Sequence, residues 1–200
     1  MKTDRRKFGF DFDGVIADTI RLKQRLARKL HGVFIPGEKF KEYIVVDEGY
    51  LTRDQYRALM AIVCGDPVLG IQASEIPGAI ATLRALQNRG DQIRIVTSRS
   101  GPEVDVIHAW FGERGLSLDC VAVGYGNNKI AAVEGFDTYI DDDLPKLVPL
   151  IGHIPQLILF SQPHNKHAIV PHPITRMDTW DELTHATGLR KLFEFFRTDV

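Results

Sequence analysis

The chain has 200 residues, 44% of them apolar and 26% charged, with a formal net charge of −1. That length supports one core with room for a small inserted subdomain, and the composition is that of a soluble globular protein. The near-neutral charge argues against a nucleic-acid-binding surface built on bulk electrostatics, and no stretch approaches the roughly 18 apolar residues of a membrane span.

The basic start, Lys2 to Lys7, has no apolar run of signal-peptide length behind it, because Asp11 and Asp13 interrupt. Cys64 and Cys120 are far apart and match no metal or redox spacing, so a reducing, cytoplasmic setting is expected, with Cys120 buried in its apolar run. The first strand is expected over Phe8 to Phe12. Asp18 to Leu30 then carries Ile20, Leu22, Leu26 and Leu30 at partly helical spacing. His31 to Glu48 is mixed, with a turn at Pro36-Gly37, and Thr52 to Cys64 reads as a second helix capped by Thr52. Gly65 to Gly70 is a breaker-rich return.

From Pro77-Gly78 onward helices and strands alternate. A helix through Asn88 ends at Gly90, a strand follows at Asp91 to Thr97, and Pro102 opens a helix to Phe111. Short strands are expected at Asp119 to Val123, Phe136 to Ile140 and Gln156 to Phe160. Between them come short helices at Lys129 to Glu134 and Leu144 to Ile151, and Asp178 to Phe196 closes the chain as one or two outer helices. The expected fold is therefore α/β, a Rossmann-like parallel sheet with helices on both faces and a small helical cap inserted after the first strand. In residue terms, 1–16 and 75–200 form the core and 17–74 the cap.

Phe8-Gly-Phe-Asp-Phe-Asp-Gly-Val15 is the most informative stretch. An apolar run ends in Asp11 and Asp13, which strand alternation sends to one side. Two carboxylates held together need a cation or a shared proton, and at the C-terminal end of a strand a hard divalent metal such as Mg²⁺ fits. The plain alternative is a polar turn, since Asp-Gly is common there. Two further strands end alike, Ile93 to Val96 in Thr97, Ser98 and Arg99, and Phe136 to Ile140 in Asp141, Asp142 and Asp143. Three such ends suit three adjacent strands of one parallel sheet.

In this order the residues resemble the haloacid dehalogenase superfamily of phosphatases. Asp11-Phe-Asp13-Gly14-Val15 matches the first motif, Thr97 the second, Lys129 the third and Asp141-Asp142 the fourth. A closer resemblance, to the 5′(3′)-deoxyribonucleotidase group and its bacterial nucleotidase relatives, rests on Asp-Phe-Asp-Gly-Val-Ile-Ala-Asp at 11 to 18, Pro77-Gly78-Ala79, Val-Thr-Ser-Arg at 96 to 99, Ile-Asp-Asp at 140 to 142 and Leu-Phe-Ser-Gln-Pro-His-Asn at 159 to 165. The resemblance implies an Mg²⁺-dependent phosphomonoesterase acting on nucleoside or deoxyribonucleoside monophosphates.

The residue chemistry agrees, because phosphoryl transfer needs a nucleophile, a cation on the phosphoryl oxygens and an acid for the leaving group. Asp11 can attack to form an aspartyl-phosphate, and Asp13 can protonate the leaving alkoxide and later activate water. Asp142 and Asp141 would complete a Mg²⁺ site with Asp11, to which the family adds the Asp13 backbone carbonyl. Thr97, Ser98 and Lys129 would bind the phosphoryl group.

Several assignments stay open. Lys129 could be an ordinary surface lysine, Arg99 a phosphate contact or a salt bridge, and Asp143 a water-mediated ligand or a helix cap. His164, His167 and His172 read as a solvated loop, with His164 and Asn165 within reach of the site's rim, and His31 and His108 as structural. Phe34, Phe40, Tyr43, Tyr50 and Tyr56 are equally candidates to stack on a base and to pack the cap. Arg53 and Arg57, on one helix face, could meet a second anionic group. The expected partner is a small phosphorylated substrate, a nucleotide in the first reading, with no nucleic-acid duplex and no membrane; a homodimer stays open. The competing readings are a phosphatase of another small metabolite, such as a sugar phosphate or phosphoglycolate, and a non-catalytic binding protein on the same fold. A dehalogenase suits the metal-type acidic cluster less well.

Overall fold

In the computed structural model, which describes residues 5–186, burial of Phe8, Gly9 and Phe10 makes β1 (Lys7–Phe10) the interior of a sheet. The chain then crosses through β2 (Ala17–Asp18) into α1 (Thr19–His31), α2 (Glu42–Asp47) and α3 (Arg53–Gly65), and returns at β3 (Ser74–Glu75). The alternating part follows: α4 (Ala79–Arg89), β4 (Gln92–Thr97), α5 (Gly101–Gly112), β5 (Asp119–Ala122), α6 (Ile130–Val133), β6 (Thr138–Asp141) and α7 (Leu144–Leu147). β7 (Gln156–Phe160), β8 (Thr175–Met177) and α8 (Trp180–Ala186) complete the described chain.

The sheet runs β5-β4-β1-β6-β7-β8 with every pairing parallel. β4, β1 and β6, the strands that end in Thr97, before Asp11 and in Asp141, are therefore neighbours. Side chains alternate between two apolar layers. Phe8, Phe10, Ile95, Ile140 and Ile158 face a layer that contains Trp110 of α5, Leu83 of α4 and Trp180 of α8. Val96, Tyr139, Leu157 and Leu159 face the other, with Val133 of α6 and Leu147 of α7. This is the Rossmann-like α/β architecture expected from the sequence.

α1 starts where Asp18 accepts a hydrogen bond from the Arg21 N–H, and α3 starts at a capping box between Thr52 and Gln55. β2 and β3 pair antiparallel, Ala17 with Glu75 and Asp18 with Ser74, so the two ends of the intervening helical segment lie side by side. Leu22 and Leu26 of α1, Val45 of α2 and Leu59 and Val63 of α3 continue the first apolar layer.

Some elements differ from expectation. β1 stops at Phe10 because the chain turns, with the Phe12 carbonyl accepting from Ile16 and Ala17. Strand alternation therefore does not govern Asp11 and Asp13. α2 was hidden in the mixed stretch because its β-branched residues dilute the helical pattern, and β8 because it is three residues long. Cys120 is only half-buried, whereas Cys64 is buried. Of the terminal helix expected to Phe196, α8 is described to Ala186, and the remainder lies outside the described residues.

Candidate active site

The site is built where β1, β4 and β6 end. Asp11 directly follows β1, and its backbone N–H still donates to the Ile140 carbonyl at 2.8 Å. That bond fixes the Asp11 side chain, 3% exposed, beside Asp141 at the end of β6. Between the two sits Lys129, at the N-terminus of α6 and itself 1% exposed. Its ammonium lies 2.8 Å from Asp11 Oδ1, 2.9 Å from Asp141 Oδ2, 2.7 Å from the Tyr139 hydroxyl and 2.8 Å from the Val96 carbonyl. The surface-lysine alternative is thereby excluded for Lys129. Burial opposes its charge, but Asp11 and Asp141 outweigh burial and hold its pKa above the ordinary lysine value.

Tyr139 reaches this ammonium because residue 9 is glycine. A Cβ there would stand 2.6 Å from the Tyr139 ring. The other required glycine is Gly14, at φ +79°, where a Cβ would meet Asp142 Oδ2 at 2.1 Å. The first loop can thus press against the carboxylate of the last motif, and Gln162, after β7, clasps it from outside by donating to the Gly14 carbonyl at 2.7 Å.

Asp11, Asp141 and Asp142 each offer a carboxylate oxygen within 4.8 Å of the others. Their surroundings differ. Asp141 accepts from Lys129 and Tyr139 on Oδ2 and from the Asp143 N–H on Oδ1. Burial pushes its pKa up, yet Lys129 brings it below the usual carboxylate value. Among the described residues no lysine or arginine pairs with Asp142, and its nearest basic group is His164 at 3.5 Å. Burial, with the charges of Asp141 and Asp11, pushes its carboxyl well above the usual value. Asp11 is also raised, by burial first, against the pull of Lys129. A buried carboxylate cluster short of positive charge, with all-oxygen donors, fits a hard divalent cation.

Asp13 lines the same cleft as Asp11 but is engaged elsewhere. Arg99 grips it in a two-pronged fork, Nε to Oδ2 at 2.9 Å and Nη2 to Oδ1 at 2.8 Å, while Nη1 donates to the Cys64 carbonyl in α3 at 3.1 Å. Burial acts to raise the Asp13 pKa, and the Arg99 fork reverses this and holds it well below the usual carboxylate range. Arg99 is therefore a salt-bridge partner, and the side chain of Asp13 stands outside the acidic trio.

Thr97 is buried and its hydroxyl accepts from the Arg99 N–H at 3.1 Å. The hydroxyl of Ser98 is buried with no hydrogen-bond partner among the described residues. It borders a cavity of about 230 Å³ lined also by Asn127, Asn128, Lys129 and Lys146. Lys146 lines both this space and the main cleft, about 120 Å³, which reaches Asp11, Asp13 and Asp142.

The remaining candidates divide. His164 lines the cleft, 3.0 Å from the Asp142 carbonyl, and Asn165 donates to the same carbonyl at 2.8 Å. Asp143 pairs with Lys41 at 3.3 Å and Lys146 at 3.9 Å, and its side chain does not cap α7. Of the five aromatic candidates only Phe40 lines the cleft. Tyr56 is core, Tyr50 lies under the Lys39 ammonium, Phe34 under the Arg28 guanidinium, and Tyr43 is exposed. Arg53 and Arg57 are exposed and do not line the cleft, and Arg53 pairs with Glu42. The cleft cations that the sequence reading passed over are Lys23, Lys41 and Lys146. A signal existed for Lys23, one helical turn after Thr19 on the face that lines the cleft.

The family described as 5′ nucleotidase, deoxy (pyrimidine), cytosolic type C protein (NT5C) matches residues 5–191. No curated protein sequence matches the chain. Solved structures do. A dehalogenase superposes with a TM-score of 0.60 at 13% identity, over 93% of this chain and 98% of its own. The HAD-hydrolase YfnB from Bacillus subtilis bound to magnesium gives 0.55 at 16%, over 92% and 99%. CbbY from Rhodobacter sphaeroides in complex with phosphate gives 0.61 at 16%, over 90% and 96%. At these identities the likeness is one of fold. Among the described residues no helix is long and apolar enough to cross a membrane.

Proposed function

From a chain that belongs to the NT5C family of 5′-nucleotidases, within the haloacid dehalogenase-like phosphatases, and is a phosphoric monoester hydrolase, we propose an Mg²⁺-dependent enzyme that hydrolyses nucleoside or deoxyribonucleoside monophosphates through an aspartyl-phosphate. The observation that carries this is the asymmetry of Asp11. One oxygen is held by Lys129, while among the described residues nothing hydrogen-bonds the other, and the residue opens onto the cleft. A carboxylate oriented by one oxygen and free at the other is placed for nucleophilic attack.

In this reading Asp11 and Asp142, with Asp141 and the Asp13 carbonyl, would hold Mg²⁺. The ion supplies charge neutralisation on the phosphoryl oxygens. The residues do the rest. Asp11 forms a bond to phosphorus as the ester oxygen leaves. Lys129 keeps the attacking carboxylate aligned and offsets its charge. Ser98, whose hydroxyl has no partner among the described residues, and Thr97 would bind phosphoryl oxygens. As gripped by Arg99, Asp13 is an ionised but weakly basic carboxylate, and in this reading it takes a proton from the water that cleaves the aspartyl-phosphate as the Arg99 fork loosens. Donating a proton to the leaving alkoxide requires its release from Arg99. Segment 17–74 serves as the cap, because it contributes Thr19, Ile20, Lys23, Phe40 and Lys41 to the cleft wall.

A second reading, a phosphatase of a small non-nucleotide metabolite, is favoured by the cleft itself. It is about 120 Å³ and is walled mostly by charged groups, with Phe40 as its one phenyl ring. Phosphate release from nucleoside 5′- and 3′-monophosphates, sugar phosphates and an aryl phosphate, with Mg²⁺, with chelator and with Asp11→Asn, tests both. Mg²⁺-dependent release from nucleotides, lost in the variant, supports the first reading. Release confined to sugar or aryl phosphates replaces it with the second, and no release from any compound overturns both.

A further inference from the structure

The helical segment meets the cleft with a one-signed face. Its lining residues are Thr19, Ile20, Lys23, Phe40 and Lys41, two cations and no carboxylate. The other cations of the segment with a described partner are used locally: Arg21 with Asp18, Arg25 with Gln72, Arg28 against Phe34, Lys39 with Glu48 and Arg53 with Glu42. Lys23 makes no ion pair among the described residues. Its charge nonetheless acts on Asp13 and His164 across the cleft.

The carboxylates of the cleft already have their cations. Asp13 is held by Arg99, Asp143 by Lys41 and Lys146, and Asp11 by Lys129. The remaining one, Asp142, belongs to the acidic trio. Lys23 is therefore a surplus positive charge on the wall of the cleft onto which Asp11 opens. Lys41, at 3.3 Å from Asp143, is a long and easily exchanged pair beside it.

We propose that Lys23, assisted by Lys41, binds a second anionic group of the substrate, so that the preferred substrate is a phosphomonoester bearing a further phosphate or carboxylate rather than a neutral leaving group. This rests on the phosphomonoesterase reading and sharpens its substrate class. Two sources share that chemistry, a nucleoside bisphosphate and a small phospho-carboxylate. Both place a second anion within a few bonds of the scissile phosphate.

The test separates binding from turnover. Asp11→Asn protein with Mg²⁺ is titrated calorimetrically with matched pairs: a nucleoside 5′-monophosphate against its 3′,5′-bisphosphate, and glycerol 3-phosphate against 3-phosphoglycerate. The second anion is expected to tighten Kd by about tenfold or more in at least one pair, and Lys23→Met in the same background to bring that ratio close to one. The pair that responds identifies the source. Equal affinities within both pairs, or a preference that survives Lys23→Met and Lys41→Met together, would overturn the proposal. Phosphate release by the Asp11 protein from the same compounds is measured alongside. Its absence would sink the phosphatase reading while the titration still decides the role of Lys23.

Discussion

The ends of β4, β1 and β6 and the helical segment from α1 to α3 line one cleft in opposite manners. On the sheet side the charged groups are buried and interlocked, with Lys129 touching four oxygens and Asp141 using both of its own. On the helical side they are partly exposed, paired with near neighbours in their own segment, paired across the cleft as Lys41 is with Asp143, or without an ion pair among the described residues as in Lys23. Buried ionic networks tolerate little change, because removing one member strands another in a low dielectric. Surface pairs contribute little each. The sheet side is thus built to hold one chemistry, and the helical side can vary what that chemistry acts on.

Five substitutions test this contrast, in falling order of effect, with Asp13→Asn as the partner of Arg99→Lys. Asp11→Asn should lower kcat by about four to six orders of magnitude, as expected for loss of a nucleophile, with the fold intact by circular dichroism. Activity within tenfold of the parent would remove Asp11 from the chemistry. Lys129→Met leaves Asp11 and Asp141 facing each other without their cation and should cost about 3–5 kcal/mol in denaturant unfolding. A cost under about 1 kcal/mol would show that the sheet side is no more interlocked than the helical side.

Arg99→Lys loses the fork on Asp13 and should destabilise by about 1–3 kcal/mol. It also carries a pH signature. The folded Asp13 pKa is depressed, since Arg99 outweighs burial. Its contribution is therefore full above the unfolded value of about 3.9 and is lost as pH falls from there through the folded value. Thermal unfolding followed from pH 6 downward should fall less steeply in Asp13→Asn than in the parent. Equal slopes would mean that the fork is not formed in solution. Tyr43→Ala, at an exposed helical-side position, should change stability by less than about 0.5 kcal/mol and leave kcat unaltered.

The same contrast explains what was legible in the sequence. Asp11, Lys129, Asp141 and Asp142 could be read because each sits just after a short apolar run or a turn in fixed order, and the sheet turns that order into proximity. The adjacency of β4, β1 and β6 followed from their matching ends. Arg99 could not be resolved, because nothing local tells a guanidinium aimed at phosphate from one aimed at Asp13. The cleft-facing members of the helical segment were hidden for a related reason. Arg53 and Arg57 offered the more regular pattern, but the face of α3 that carries them points to solvent, whereas Lys23 and Lys41 lie on different elements that only folding brings to one wall. α2 and β8 escaped because each is too short for periodicity to build up.

The burial of Lys129 has a consequence for assembly. Its four oxygen neighbours come from three strands or their ends, Val96 of β4, Asp11 after β1, and Tyr139 and Asp141 of β6. Sliding β6 by one residue turns Tyr139 and Asp141 to the opposite layer and takes one of the two counter-charges from an enclosed ammonium. The lysine thereby acts as a registration pin for the middle of the sheet. A chain that has paired its central strands wrongly cannot close over this charge, so the group that orients the nucleophile also proofreads the folding that creates it.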